Sequence, residues 1–249
     1  MAVSALSASR LAKRYGPIVA LDDVSIEVAP GECVALVGES GSGKTTLLRA
    51  FNGLTALDAG TVRVSGHDLA GADLVAVRRS LGYVPQDGGL LPHWTVARNA
   101  ALQPWLLGRP DPATDAAAAL ALVGLGDGQF ATRWPHELSG GQRQRVAFAR
   151  ALAAGARILL LDEPFGALDA ITRSDLQAMF LDIRRTAGVA ALLVTHDLHE
   201  AALLADRIAV MHQGQLAQVD RPEVLTSRPA TPYVADLLTR ARLRAERAS

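Results

Sequence analysis

The run "CVALVGESGSGKTTLLRA", residues 33 to 50, constrains the fold more than any other stretch. Five apolar residues, 33 to 37, are followed by three glycines in six positions, and then by an apolar-periodic segment. That order reads as a buried strand, a tight loop and a helix. The loop fits the pattern G-x-x-x-x-G-K-[ST] in the strand–loop–helix setting that gives the pattern meaning. Glycine lets backbone N–H groups wrap phosphate oxygens, over Gly38, Glu39, Ser40, Gly41, Ser42, Gly43 and Thr46. Lys44 supplies a point charge for the outer phosphates, and the Thr45 hydroxyl supplies an oxygen for Mg²⁺.

Two further apolar runs, "ILLL" (158–161) and "AALLV" (190–194), read as strands covered on both faces, as in a parallel sheet. "VSIEV" (24–28) and "TVRV" (61–64) alternate instead, which predicts half-exposed antiparallel strands near the N-terminus. The fold class expected is α/β: a P-loop NTPase core with a mixed sheet, an N-terminal antiparallel β subdomain and an inserted helical subdomain. One domain over 1–249 is expected, with the core and β subdomain at 1–86 and 157–220. Residues 87–156 form the helical insert, where Pro104, Pro110 and Pro112 punctuate helical patterns over 113–126 and 142–154. A helical tail follows from 221 to 249.

Composition narrows the function. The 25 basic and 25 acidic residues cancel, which argues against a protein that coats nucleic acid. A single Cys33 excludes an internal disulfide framework and fits a reducing compartment. No apolar run reaches the roughly 18 to 20 residues of a membrane span, and the N-terminus lacks the apolar segment of a signal peptide. A cytoplasmic protein is expected, free to dock on a membrane partner.

"ILLLDEP" (158–164) brings Asp162 and Glu163 out at the carboxyl end of a buried strand, where open α/β sheets bind ligands. Beside a phosphate loop, Asp162 can hold Mg²⁺ through water, and Glu163 can draw a proton from an attacking water. A stranger stretch is "ELSGGQRQRVAFARALA" (137–153). Ser139 is a good N-cap, yet Gly140 and Gly141 stand where strong helix formers belong. Two readings are open: a helix entrance bared for an anion, or a turn that needs positive φ.

With these motifs in this order, the chain resembles the nucleotide-binding subunit of ABC transporters over nearly its full length. The resemblance implies that "LSGGQ" (138–142), with Ser139, Gly140, Gly141 and Gln142, meets the γ-phosphate of ATP held by a second ATPase subunit. It further implies that Tyr15 in "KRYG" stacks on adenine, and that Gln86 in "GYVPQD" senses Mg²⁺ and the attacking water. By the same resemblance His196 in "LLVTHD" contacts the γ-phosphate, and Asp169 in "GALDA" crosses the dimer interface. Taken on its own, Asp169 reads as a helix N-cap. Implied partners are transmembrane permease subunits, a separate substrate-binding protein and a second copy or close homologue, at the cytoplasmic face of the membrane. Nucleic-acid maintenance ATPases share such a head. They bring long coiled-coil insertions or zinc-binding cysteines, and neither is present in this sequence.

A narrower resemblance lies in "VRRSLGYVPQDGGLLPHWTVARNAAL", "EPFGALDAITRSDLQ" and "RPATPYVADLL". These look like importers of quaternary-ammonium osmoprotectants such as glycine betaine, choline or carnitine. The chain departs from them at Pro85, and in ending at 249 where many continue into a paired regulatory domain. Importers of sulfonates, nitrate or polyamines share "EPFGALD".

Overall fold

The computed structural model describes residues 3–248 and divides the chain into two compact units, 1–74 with 190–249, and 75–189. The first opens with strands β1 (Leu6–Tyr15), β2 (Ile18–Val28) and β3 (Cys33–Val37), then helix α1 (Lys44–Phe51), β4 (Ala59–Val64) and β5 (His67–Asp68). The chain passes through α2 (Leu74–Ser80), β6 (Gly82–Val84), α3 (Val96–Ala100), α4 (Leu102–Leu106) and α5 (Pro112–Leu122). It continues with α6 (Gly140–Leu152), β7 (Ile158–Asp162) and α7 (Ala170–Ala187). Back in the first unit come β8 (Ala190–Val194), α8 (Leu198–Leu204), β9 (Arg207–His212), β10 (Gln215–Asp220), α9 (Pro222–Ser227) and α10 (Pro232–Ala248).

Two sheets organise the first unit. Strands β2-β1-β4-β5 pair antiparallel throughout, as the alternating segments predict. The other sheet is mixed. β3 runs parallel to β8 on one side and to β9 on the other, and β10 closes the edge antiparallel to β9. Every residue of β3 and β8 is buried, which is why their sequences can be apolar without alternation. Cys33 is among them, fully buried, and its backbone N–H donates to Asp206 at 2.7 Å. Ala35, Val37, Ile208 and Val210 pack with Ala201, Leu225 and Val234, so α8, α9 and α10 cover one face of these strands.

In the second unit β6 and β7 pair in parallel, Gly82 opposite Leu159 and Val84 opposite Leu161. Gly82 must be glycine, because a Cβ there would strike Leu159 and lie 2.7 Å from the Ala151 carbonyl oxygen. Phe148 of α6, Phe165 and Phe180 of α7 form a ring cluster with centroids about 6 Å apart, each fully buried. Helices begin where the sequence offers caps: Thr95, Asp111, Ser139 and Asp169 each accept from a backbone N–H of the first turn. No helix among the described residues is long and apolar enough to cross a membrane.

Candidate functional site

In the first unit, fully buried β3 delivers the chain into the glycine loop. Gly38, Gly41 and Gly43 take φ of +149°, +80° and +106°, values that side chains at these positions would resist. A Cβ on Gly38 would run into the carbonyl oxygen of Met211, and one on Gly43 into that of Ala20. Lys44 is 7% exposed; its Nζ donates to the carbonyls of Gly38 and Glu39, both at 2.8 Å. The loop is thus wound around its own lysine. α1 begins at Lys44 with Gly43 as N-cap, no side-chain cap and no acidic residue in its first turn. A helix end without a side-chain cap, a glycine backbone and a lysine fit a polyphosphate, since the positive end of the helix dipole favours an anion.

Tyr15 ends β1 and is half exposed, with Lys13 Nζ 5.1 Å from its ring centroid. Asp58 secures that strand end, accepting from Arg14 N–H at 2.6 Å and from Lys13 Nζ at 3.0 Å. Those two hydrogen bonds, the backbone one foremost, hold the Asp58 carboxyl below the usual carboxylate range. His196 follows β8, exposed, and lines a cavity of about 660 Å³ with Gly38, Glu39, Ser40, His199 and Arg240.

The second unit carries the remaining residues. Asp162 is buried as the last residue of β7. Glu163 follows with φ of +48°, a left-handed conformation that costs a non-glycine residue on the order of 1 kcal/mol or more. Asp169 caps α7, accepting from Thr172 N–H at 3.0 Å. Its carboxyl lies below the usual range through hydrogen bonds from the Thr172 backbone and hydroxyl.

At the entrance of α6, Ser139 Oγ accepts from Gln142 N–H at 3.2 Å, while Gln142 Oε1 accepts from Ser139 N–H at 2.9 Å. This is a reciprocal capping box, a role for Gln142 that the spacing S-x-x-Q encodes and the sequence reading passed over. Gly140 and Gly141 are helical and absent from the positive-φ residues, so the turn reading of these glycines is corrected. They also differ from each other. Gly140 meets nothing nearer than 3.4 Å, whereas a Cβ on buried Gly141 would strike Thr172 Cγ2 of α7. Gly141 is needed for helix packing, and only the first glycine is left bare for the entrance.

Gln86 is exposed just beyond β6. The loop after it is held by side chains that sequence reasoning missed. Gln144 Nε2 donates to the Gln86 carbonyl at 2.7 Å, and Arg150 donates to the carbonyls of Gly89 at 2.6 Å and Gly88 at 2.8 Å. Fully buried Asn99 accepts from Leu91 N–H and donates to the carbonyls of Leu91, Trp94 and Thr95. Burial lowers the Arg150 pKa from its usual value, opposed by Asp87. His93 and Trp94 contact edge to face at 6.1 Å, and Arg98 lies 4.3 Å over the Trp94 ring. No sequence pattern announces such donors, because their acceptors are loop carbonyls that every residue has.

The family model described as ABC transporter matches residues 21–166. The chain is 41% identical over 239 residues to the glycine betaine uptake system ATP-binding protein of Escherichia coli, covering 94% of this chain and 77% of that protein. It is 47% identical over 228 residues to the sulfate/thiosulfate import ATP-binding protein of Nocardia farcinica, covering 91% and 68%. Among solved structures, a dimeric post-hydrolysis state of the ATP-binding cassette MJ0796, bound to ADP and Pi, matches with a TM-score of 0.79. The identity is 30%, over 87% of this chain and 98% of that one.

Proposed function

The chain belongs to the ABC transporter family as one of its ATP-hydrolysing subunits, and from that premise we propose that it powers import of a quaternary-ammonium osmoprotectant. Glycine betaine, choline and carnitine are the cargo class. The observation that carries this cargo is the loop after Gln86, "GLLPHWTV" over 89–96, which resembles the osmoprotectant importers. The 41% identity to the glycine betaine protein supports it. The 47% identity to the sulfate/thiosulfate protein favours a second reading, an oxyanion importer on the same ATPase.

In this reading Tyr15 stacks on adenine, and the loop from Gly38 to Thr46 holds the phosphates with Lys44 on the outer pair. Thr45, Gln86 and Asp162 are the residues that would hold Mg²⁺, which when bound offsets phosphate charge. Water attacks the γ-phosphorus in line, the bond to the β-phosphate oxygen breaks, and Glu163 accepts the proton of the water, leaving ADP and phosphate. His196 and Lys44 stabilise the transferred charge. A second copy or close homologue brings Ser139, Gly140, Gly141, Gln142 and Asp169 to the same nucleotide. Permease subunits at the cytoplasmic membrane face dock near Gln86, His93 and Trp94, and a separate binding protein selects the solute.

Uptake decides the cargo. Cells lacking this chain and redundant importers should lose betaine, choline or carnitine uptake at high osmolarity. The native gene should restore it and Lys44→Ala should not. Unchanged osmoprotectant uptake together with failure to grow on sulfate as sole sulfur source would transfer the assignment to the oxyanion reading.

A further inference from the structure

Three hydrogen bonds run from the side chains of α6 to the carbonyls of residues 86, 88 and 89, and they come from donors spaced along one helix. Gly88 and Gly89 take φ of +76° and +54°, so this loop follows neither a strand nor a helix. Gly88 N–H bonds back to the Pro85 carbonyl at 3.0 Å, and Gly89 N–H to Asp87 Oδ1 at 3.0 Å. The carbonyls are left to α6. The Arg150 guanidinium is a planar fork, and it spans two successive carbonyls as a compact ammonium cannot. Gln144 is 5% exposed, and its Oε1 is buried without a hydrogen-bond partner while its Nε2 serves Gln86. Only one orientation of that amide works, because the flipped one would set two oxygens face to face.

We infer that Gln144 and Arg150 are positioning residues for Gln86: they clamp its loop to the helix that Ser139 caps, so that Gln86 and the α6 entrance move as one piece. The inference rests on the assignment of Gln86 to the ATP cycle. A mere pairing of these loop carbonyls would also call for donors here. The two differ in consequence, because a filler stabilises the fold, whereas a positioning residue acts through Gln86 and has no further effect once Gln86 is gone.

A double-mutant cycle separates them. Steady-state turnover of the full chain is measured with Mg-ATP for Gln86→Ala, Arg150→Lys, Gln144→Met and each pair with Gln86→Ala. Arg150→Lys and Gln144→Met should lower kcat about ten- to a hundredfold by misplacing Gln86, with KM for ATP within about twofold. In the Gln86→Ala background neither should lower kcat by more than about twofold further. If Arg150→Lys fails to fold, as a melting curve would reveal, Gln144→Met carries the same comparison. The inference is overturned if Gln86→Ala is slow while both clamp variants turn over like the native chain. Losses that multiply in the pairs would overturn it too, since the clamp would then act independently. If Gln86→Ala itself turns over at the native rate, the assignment of Gln86 falls and the clamp's role falls with it.

Discussion

Gly141 shows how much one hydrogen atom in place of a methyl can decide. In an exposed helix, Gly→Ala is stabilising by about 1 kcal/mol. Here the added Cβ meets Thr172 Cγ2, and overpacking of this kind costs about 1–3 kcal/mol. Gly141→Ala is therefore expected to lower the melting temperature. Thr172→Ser removes the offending methyl and keeps the hydroxyl that serves Asp169. In that background Gly141→Ala should raise the melting temperature instead. The reversal of sign is the measurement, and a destabilisation of equal size in both backgrounds would mean that the glycine is required for another reason. Residue type and spacing revealed the glycine loop between β3 and α1, because its positive-φ turns demand glycine at fixed positions. They did not reveal Thr172, since nothing local to Gly141 says which residue 31 positions on will lie against it.

Among the elements, those with one strong cause were legible. β3, β7 and β8 are buried at every position and are apolar at almost every position. The expected antiparallel segments fall in β2 and β4. β1 and β10 escaped the alternation rule for a physical reason. β1 is interrupted by register shifts, with Arg10 at φ +49°, and its burial does not alternate. β10 is an edge strand of intermediate burial, so no face of it is strongly selected. The start of α6 was legible as a cap but not as a reciprocal box. That box gives a clean experiment. Aspartate caps a helix as well as serine does and suits the helix dipole, so Ser139→Asp should leave the melting temperature within about 2 °C of native. Ser139→Ala, which lacks the acceptor, should cost about 1 kcal/mol.

For the whole molecule, Ser139→Asp then becomes a probe of assembly that stability cannot explain away. Glu163→Gln removes the proton acceptor, a change that typically costs on the order of 10²- to 10⁴-fold in rate, and leaves the phosphate loop intact. It should accumulate with ATP as a dimer on size-exclusion chromatography. Adding Ser139→Asp should abolish that dimer, because a carboxylate would replace a hydroxyl where the γ-phosphate of the second chain is expected. A dimer that persists in the double variant would mean that the α6 entrance does not face an anion. Cys33, sealed in the strand that feeds the glycine loop, is the only thiol in the sequence. A thiol-reactive dye can therefore reach it only while β3 is open, and its slow reaction with the native chain counts those openings. Nucleotide that binds the closed form alone should slow the dye in proportion, about a hundredfold at a hundred times its dissociation constant. The chain thus carries its own gauge of ligand affinity, read by covalent labelling with no substitution at all.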